Sequence, residues 1–333
     1  MTKIAIVGAG AWGTAFAMHA TNAGLDVALL GSGHDSVGPL AATRRHPALV
    51  GAPPIPESVS ITADAGTAFD DASAVLWAVS VQGTADEAGR LREFLPASVP
   101  RVAMSKGLEI GSKRRTTQIL GDVLSRGSGL AVLSGPTFAV EVARGLPAAA
   151  VVASADPAVC LSVQGILSSP TFRLYGSSDV IGVEIAGAAK NVVAIAAGIV
   201  DGLALGHNIR AALLTRALAE IRRLGTTLGG NPDTFAGLAG VGDLLLTATG
   251  DLSRNRRVGL ALAAGKTLTD AVSALGGEVA EGVATASVLV ELAHSVNVEM
   301  PIAEIVGEIL SGQVSPKDAL RALMTRRLKQ ENV

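Results

Sequence analysis

Apolar and polar positions change their period about halfway along the chain. Through the first half, apolar runs of strand length alternate with stretches whose apolar residues recur at helical spacing. Strands are predicted at Lys3–Val7, Val27–Leu30, Val59–Thr62, Ala74–Val79, Val102–Ser105, Leu130–Leu133 and Ala148–Ala153, with Thr171–Tyr175 closing the series. Helices are predicted at Gly13–Ala23, ending at Gly24, and at Asp86–Phe94 and Arg115–Leu124. The proline-rich Arg44–Pro56 segment reads as a loop. Strand–helix alternation of this kind implies a mostly parallel sheet with helices on both faces.

From about Val180 the strand-like alternation almost disappears. Long helical patterns follow at Val183–Val200, Ile209–Leu224, Arg257–Ala264, Thr269–Ala274, Ala284–Ser295 and Ile302–Leu310. A chain of 333 residues exceeds one typical core, so two domains are expected. The pattern divides it into an α/β part over residues 1–180 and an all-α part over residues 181–333.

Composition narrows the function classes. The chain is 49% hydrophobic and 17% charged, which excludes a disordered polymer. A mean hydropathy of +0.44 raises the question of a membrane span. The most apolar stretch, Ile181–Leu205, carries Glu184, Lys190 and Asp201, charges that are costly in a bilayer, so a buried core helix is expected. The N-terminal MTKIAIVGAG enters a strand at once, with no cleavable apolar segment, and the expectation is a cytoplasmic protein not integral to a membrane. A formal net charge of −2 gives no reason to expect a nucleic-acid partner. The single cysteine, Cys160, lies in an apolar helical pattern and reads as a small core residue. The five histidines show no ligand spacing, so no metal site is expected.

Gly8-Ala9-Gly10-Ala11-Trp12-Gly13 is a G-x-G-x-x-G run between the first strand and the first helix. Gly8 permits the tight turn, Gly10 lets a pyrophosphate approach the backbone, and Gly13 lets the helix pack close to the strand. This makes the α/β part a Rossmann-like doubly wound domain that binds a dinucleotide. The second strand runs into Leu30-Gly31-Ser32-Gly33-His34-Asp35, with neither a clean acidic partner for a ribose nor a basic one for a 2′-phosphate. Arg44 and Arg45 follow, either as readers of a 2′-phosphate or as a solvated pair, so the choice between NAD and NADP stays open.

The second half carries side-chain chemistry. In Glu184-Ile185-Ala186-Gly187-Ala188-Ala189-Lys190-Asn191 a lysine sits inside an apolar helix. It is either buried, with its pKa lowered from about 10.4 toward the range useful for proton transfer, or it snorkels to solvent. A carboxylate such as Glu184 or Asp243 is its candidate partner. Asp243 ends the glycine-dense Gly237–Gly242 segment and reads as an orienting partner for the lysine, a helix cap, or both. Ser253-Arg254-Asn255-Arg256-Arg257 offers a bidentate guanidinium with hydroxyl and amide donors, suited to a phosphate, or else a solvated helix start. Lys106 follows a strand and so lies at the carboxyl edge of the sheet, and Ser134–Ala139 leaves a strand toward the same cleft.

With these strings in order, the chain resembles bacterial NAD(P)-dependent glycerol-3-phosphate dehydrogenase over essentially its whole length. The carrying strings are GAGAWGTAFA, SKGLE, LSGPTFAVEVARGLP, EIAGAAKNVVAIAAG, GLAGVGDLLLTATGDLSRNRRVG and VAEGVATA. The resemblance implies that Lys190 moves the proton at the substrate C2 oxygen, with Asp243 holding it. It implies that Lys106, Gly135, Thr137, Asp243, Ser253, Arg254 and Asn255 line glycerol phosphate. Gly8, Gly10, Ala11, Trp12, Gly13, Lys106, Ala139, Arg254, Val279 and Glu281 would hold NAD or NADP, with Asn191 and Thr247 near the substrate. The implied reaction interconverts dihydroxyacetone phosphate and sn-glycerol 3-phosphate, feeding phospholipid synthesis. Oligomeric state is left open, a homodimer included. Three departures stand out: Leu30-Gly31-Ser32 where Trp-x-Arg is common, Ala11 for a frequent Ser, and Val79-Ser80-Val81-Gln82 without the usual proline. Two other readings remain on the residues alone, a dehydrogenase of hydroxy acids and a non-catalytic dinucleotide-binding regulator.

Overall fold

The computed structural model describes residues 1–124, 129–276 and 279–325, and for residues 34–36 it describes the backbone only. Eight strands form one sheet: β1 (Lys3–Val7), β2 (Asp26–Leu30), β3 (Val59–Thr62), β4 (Ala72–Trp77), β5 (Arg101–Ala103), β6 (Leu130–Ser134), β7 (Ala148–Ala153) and β8 (Phe172–Ser177). Their spatial order is β3-β2-β1-β4-β5-β6-β7-β8. Every neighbouring pair is parallel except β6 and β7, which run antiparallel. The expected mostly parallel sheet is what the chain forms. Along β1, Ile4 and Ile6 enter the core on one face while Ala5 and Val7 enter the core on the other. A strand covered on both faces reads as a continuous apolar run.

Helices α1 (Ala11–Asn22), α2 (His34–Thr43), α3 (Ala65–Phe69), α4 (Val81–Leu91), α5 (Thr116–Val123), α6 (Ala139–Ala143) and α7 (Pro157–Leu167) accompany the sheet. Sequence periodicity missed α2, whose interior holds Gly38 and Pro39, residues that usually break helices. Cys160 lies buried within α7, as a core residue should. The Arg44–Pro56 segment is a loop.

The remaining chain is helical: α8 (Val180–Gly202), α9 (His207–Thr227), α10 (Asp243–Thr249), α11 (Arg254–Ala263), α12 (Leu268–Ser273), α13 (Glu281–Ser295), α14 (Pro301–Leu310) and α15 (Pro316–Met324). A 3-10 turn, Pro232–Ala236, and a π-helical turn, Leu238–Gly242, lead into α10. By length and composition α8 could cross a membrane, yet 89% of its most apolar window is buried inside the protein. Asp179 caps it, accepting from the Gly182 N–H at 2.8 Å.

Polar contacts set the position of α8 against the sheet. Buried Glu184 accepts from Arg115 Nη1 at 2.5 Å, the Thr117 N–H at 2.9 Å and Thr117 Oγ1 at 2.6 Å. Burial pushes its carboxyl upward in pKa, and Arg115 opposes that shift. Glu184 is therefore not the partner of Lys190; it ties α8 to the start of α5.

Close packing holds α8 to α11. A Cβ on Gly259 would overlap the Ile195 carbonyl oxygen, and one on Gly198 would overlap the Arg256 carbonyl oxygen. Gly259→Ala should therefore destabilise the protein by about 1–3 kcal/mol through overpacking, despite alanine's better helix propensity. Urea denaturation measures this, and an unchanged or raised midpoint would show that the two helices can separate at no cost.

Candidate active site

The chain needs four separate segments to build the site. Lys106 lies in the loop after β5, and Gly135 directly follows β6, where a Cβ would come within 2.8 Å of Ala150 Cα. Lys190 and Asn191 project from the middle of α8. The π-helical turn delivers Asp243 to the first position of α10, with Thr247 one helical turn further.

These residues meet around one carboxylate. Lys190 Nζ donates to Asp243 Oδ1 at 2.6 Å and to Thr247 Oγ1 at 2.7 Å. Lys106 Nζ donates to Asp243 Oδ2 at 2.7 Å and to the Gly135 carbonyl at 3.0 Å. Thr137 Oγ1 donates back to the same carbonyl at 3.2 Å. Asp243 is 1% exposed and Lys190 6%, so the lysine does not snorkel to solvent. Of its two candidate carboxylates, Asp243 is the one it meets.

The charges are unequal: Lys106, Lys190 and Arg254 bring three cations to the carboxyls of Asp243 and Glu281. Burial lowers the Lys190 pKa to about 8, against the pull of Asp243 and with the push of Lys106. Burial alone would raise the Asp243 carboxyl, but Lys106 and Lys190 together hold it below its ordinary value. A pocket with spare positive charge suits an anionic ligand or an oxygen that gains charge during reaction.

A second network surrounds this cluster. Asn191 Nδ2 donates to the Lys106 carbonyl at 3.0 Å, and Asn255 Nδ2 donates to Asn191 Oδ1 at 3.0 Å. Asn255 Oδ1 accepts from the Gly282 N–H at 3.0 Å. The Asn255 amide thus bridges α8 and the start of α13. Ser253 Oγ accepts from the Arg256 N–H at 3.2 Å and caps α11. Arg254 is the first residue of that helix. Burial raises the pKa of Glu281, at the start of α13, and the charge of Arg254 opposes the rise. Val279 is more than half exposed beside it, and Ala139 opens α6.

Gln82, which stands in the segment lacking the usual proline, emerges as a support that the sequence reading did not single out. Its Nε2 donates to the Leu108 carbonyl at 2.8 Å, and its Oε1 accepts from the Ile110 N–H at 3.0 Å. Both bonds pin the loop that presents Lys106. An amide matched to two backbone groups of a distant loop leaves no periodic trace.

The glycine turn fits a dinucleotide. Gly8 has φ +107°, and a Cβ there would lie 2.9 Å from the Ala78 carbonyl. A Cβ on Gly13 would overlap the Gly8 carbonyl oxygen, whereas Gly10 faces open space within 4 Å. Gly10 is also the N-cap of α1, and no side chain caps that helix end. The open backbone face and the uncapped helix N-terminus are what a pyrophosphate requires. Trp12 packs edge-on against Phe16 at 5.7 Å, behind the turn. Arg44 is taken up locally, donating to the carbonyls of Pro56 at 3.4 Å and Val59 at 2.8 Å and pairing with Glu57. It belongs to its own loop, while Arg45 is exposed. The side chains of His34 and Asp35 lie outside the described residues. Among the described residues, no group of three or more His, Cys, Asp or Glu is arranged to hold a metal ion.

Residues 3–160 match the family model described as NAD-dependent glycerol-3-phosphate dehydrogenase N-terminus, and residues 179–321 match its C-terminus counterpart. Glycerol-3-phosphate dehydrogenase (NAD(P)+) of Aromatoleum aromaticum is 46% identical over 330 residues, covering 99% of this chain and 100% of that protein. The protein of the same name from Nitrosospira multiformis is 45% identical over 334 residues, covering 99% of each. The crystal structure of glycerol-3-phosphate dehydrogenase from Coxiella burnetii superposes with a TM-score of 0.92 at 37% identity, over 98% of this chain and 99% of that one.

The ion cluster generates a prediction about protonation. In the ligand-free protein Lys190 should titrate at about 8. Asp243→Asn removes the charge that raises this pKa and leaves Lys106, which lowers it, so the variant should titrate lower still. NMR of the lysine Cε–Nζ groups against pH reads both values. An Asp243→Asn protein whose Lys190 titrates higher than in the parent would show that the carboxylate does not set it.

Proposed function

The chain belongs to the NAD-dependent glycerol-3-phosphate dehydrogenase family, and from that premise we propose that it interconverts dihydroxyacetone phosphate and sn-glycerol 3-phosphate with NAD(H) or NADP(H). The observation that carries this reading is the buried Lys190–Asp243–Lys106 cluster, with a pKa near 8 on a lysine held at fixed geometry. When bound, the dinucleotide supplies hydride to the carbonyl carbon or accepts it from the alcohol carbon. Lys190, protonated below about pH 8, gives its proton to the oxygen as the ketone is reduced, and takes it back when the alcohol is oxidised. Asp243 fixes the ammonium and keeps it charged, while Lys106 adds positive potential on the far side of the carboxylate. Arg254, with Ser253, Asn255 and the backbone N–H groups at the start of α11, forms the phosphate anchor, and remote binding there helps align the ketone.

The same reading makes residues 1–180 the dinucleotide-binding domain and residues 181–333 the helical substrate-binding domain, each lending side chains to the other's ligand. Gly8–Gly13, Lys106, Ala139, Arg254, Val279 and Glu281 are placed toward the dinucleotide, with Lys106, Gly135, Thr137, Asn191, Asp243, Thr247, Ser253, Arg254 and Asn255 toward the substrate. It places the enzyme in the cytoplasm, with glycerol 3-phosphate as a feed for glycerophospholipid synthesis.

Steady-state rates with dihydroxyacetone phosphate, under NADH and NADPH side by side, test the reaction. Reduction should slow as pH rises through about 8, and oxidation should quicken over the same range, because the two directions need opposite forms of Lys190. Lys190→Met should lower the rate by about 10²–10⁴-fold in both directions. Its melting temperature should change little, since Asp243 keeps Lys106 as a partner. Full activity per folded molecule in this variant would remove Lys190 from the reaction.

The cofactor choice has its own test. Ser32 is exposed directly after β2, with no basic residue at its position, and Arg44 is engaged elsewhere. Both dinucleotides should therefore support turnover, and Ser32→Arg should raise kcat/KM for NADPH selectively. An unchanged ratio between the two cofactors would show that the 2′-phosphate is read at another position, with Arg45 the next to vary.

A further inference from the structure

Glu184 is a buried carboxylate that takes no part in the reaction assigned above. An apolar residue would fill its place in α8 without the cost of taking a charge out of water. Three donors offset that cost: Arg115 Nη1 at 2.5 Å, the Thr117 N–H at 2.9 Å and Thr117 Oγ1 at 2.6 Å. A buried ion pair adds little stability over well-packed apolar groups, and its best attested use is to fix register. The position of the donors shows which segments Glu184 registers.

Arg115 and Thr117 stand at the far end of the loop that presents Lys106. That loop leaves β5 after Ala103 and enters α5 at Thr116. Its two ends are joined by the hydrogen bond between Ser105 Oγ and Thr116 Oγ1 at 2.9 Å. Its middle is braced from within, where Glu109 pairs with Arg114 at 2.8 Å and the Glu109 N–H donates to the Arg114 carbonyl at 3.0 Å. A loop closed at its base and braced along its length moves as one body, so Arg115 and Thr117 carry Lys106 with them.

On the other side, Glu184, Gly187 and Asn191 recur at i, i+3 and i+7 and share one face of α8. Asn191 Nδ2 donates to the Lys106 carbonyl at 3.0 Å, and a Cβ on Gly187 would lie 3.5 Å from Lys106 Cγ. Glu184 and Asn191 are separated by about 10 Å along the helix axis. One attachment would leave the loop free to pivot; two at that spacing fix its height along α8 and its tilt. Lys190, next to Asn191, then faces Lys106 across Asp243 at a set separation.

We propose that Glu184 is a positioning residue: by holding Arg115 and Thr117 it sets where the Lys106 loop meets α8, and so the placement of the Lys106 ammonium against the Lys190–Asp243 pair. Its consequence for turnover rests on the reaction assigned above.

The test uses the full-length protein and reads two quantities. The first is the Lys190 titration without ligand, followed by NMR of the lysine Cε–Nζ groups. Asp243, Lys106 and Glu281 are the charged groups that act on Lys190, and Glu184 is not among them, so a shift on changing Glu184 comes through geometry. Glu184→Gln keeps the shape but turns an amide N–H toward donors, setting donor against donor at Arg115. With Arg115 released, the Lys106 loop should draw away and its like-charge push should weaken, so Lys190 should titrate above its parent value of about 8. The second quantity is turnover of dihydroxyacetone phosphate per folded molecule. Glu184→Gln should lower kcat by about 10–10²-fold, the scale of a small misplacement. Arg115→Met, which cuts the same contact from the loop side, should show both effects.

Both variants should also melt lower, because each leaves one buried charge without its partner. A carboxylate that only stabilised the fold would lower the melting temperature and nothing else. An unmoved or lowered Lys190 titration in folded Glu184→Gln would therefore overturn the proposal, as would a parent kcat per folded molecule. Should neither variant fold, Thr117→Val removes one donor, leaves the ion pair in place, and should shift both quantities in the same direction by less. Absence of turnover in the parent enzyme would count against the assigned reaction, while the ligand-free titration would still decide whether Glu184 positions Lys106.

Discussion

A single buried carboxylate sets the geometry on which the site depends. Asp243 gives one oxygen to a lysine from the helical half of the chain and the other to a lysine from a loop of the sheet. Placing three charged groups out of water is costly, and the arrangement persists because each has a short, charge-assisted partner. The same crowding explains the opposite fates of the two titrations. Burial wins at Lys190 and lowers its pKa, while two neighbouring cations win at Asp243 and keep it ionised. The result is an ammonium group with a pKa of about 8, held in one orientation by Asp243 and Thr247.

Helix α8 supplies the scaffold for that carboxylate's partners. Its small residues allow α11 to approach to backbone contact. Apolar surface of this kind is non-directional and would tolerate some rotation or sliding. The three charges along the helix remove that freedom, each by a different partner. Glu184 is held by Arg115 and Thr117, and Lys190 by Asp243 and Thr247. Asp201 is held by Arg256 at 2.8 Å and Arg210 at 3.1 Å. The residues that distinguish α8 from a membrane span are the ones that index it against its neighbours.

The dinucleotide turn and the ion cluster obey different physics. At Gly8 and Gly13 the requirement is on the backbone: a Cβ there would meet the Ala78 or the Gly8 carbonyl. At Lys190, Asp243 and Lys106 the requirement is on side chains from distant segments, and no local rule brings them together. This difference decides what could be read in advance.

From the sequence alone came the alternation that makes a mostly parallel sheet, the change to helices near residue 180, and the glycine turn between β1 and α1. These depend on periods of a few residues and on backbone sterics, which are local. The identity of the polar candidates was legible too, because lysines and carboxylates inside apolar or glycine-dense runs are conspicuous. Their pairing was not: Glu184 lies six residues from Lys190 in sequence, yet Asp243, from another helix, is the partner. Only the packed structure decided that Arg44 serves its own loop, that Ser253 caps α11, and that the Asn255 amide bonds to Asn191 and Gly282. It also brought Gln82 to the Lys106 loop and formed α2 around a glycine and a proline. Each of these is a hydrogen bond or contact between segments whose spacing in the chain carries no periodic signal, so tertiary packing alone could choose among the partners that the sequence left open.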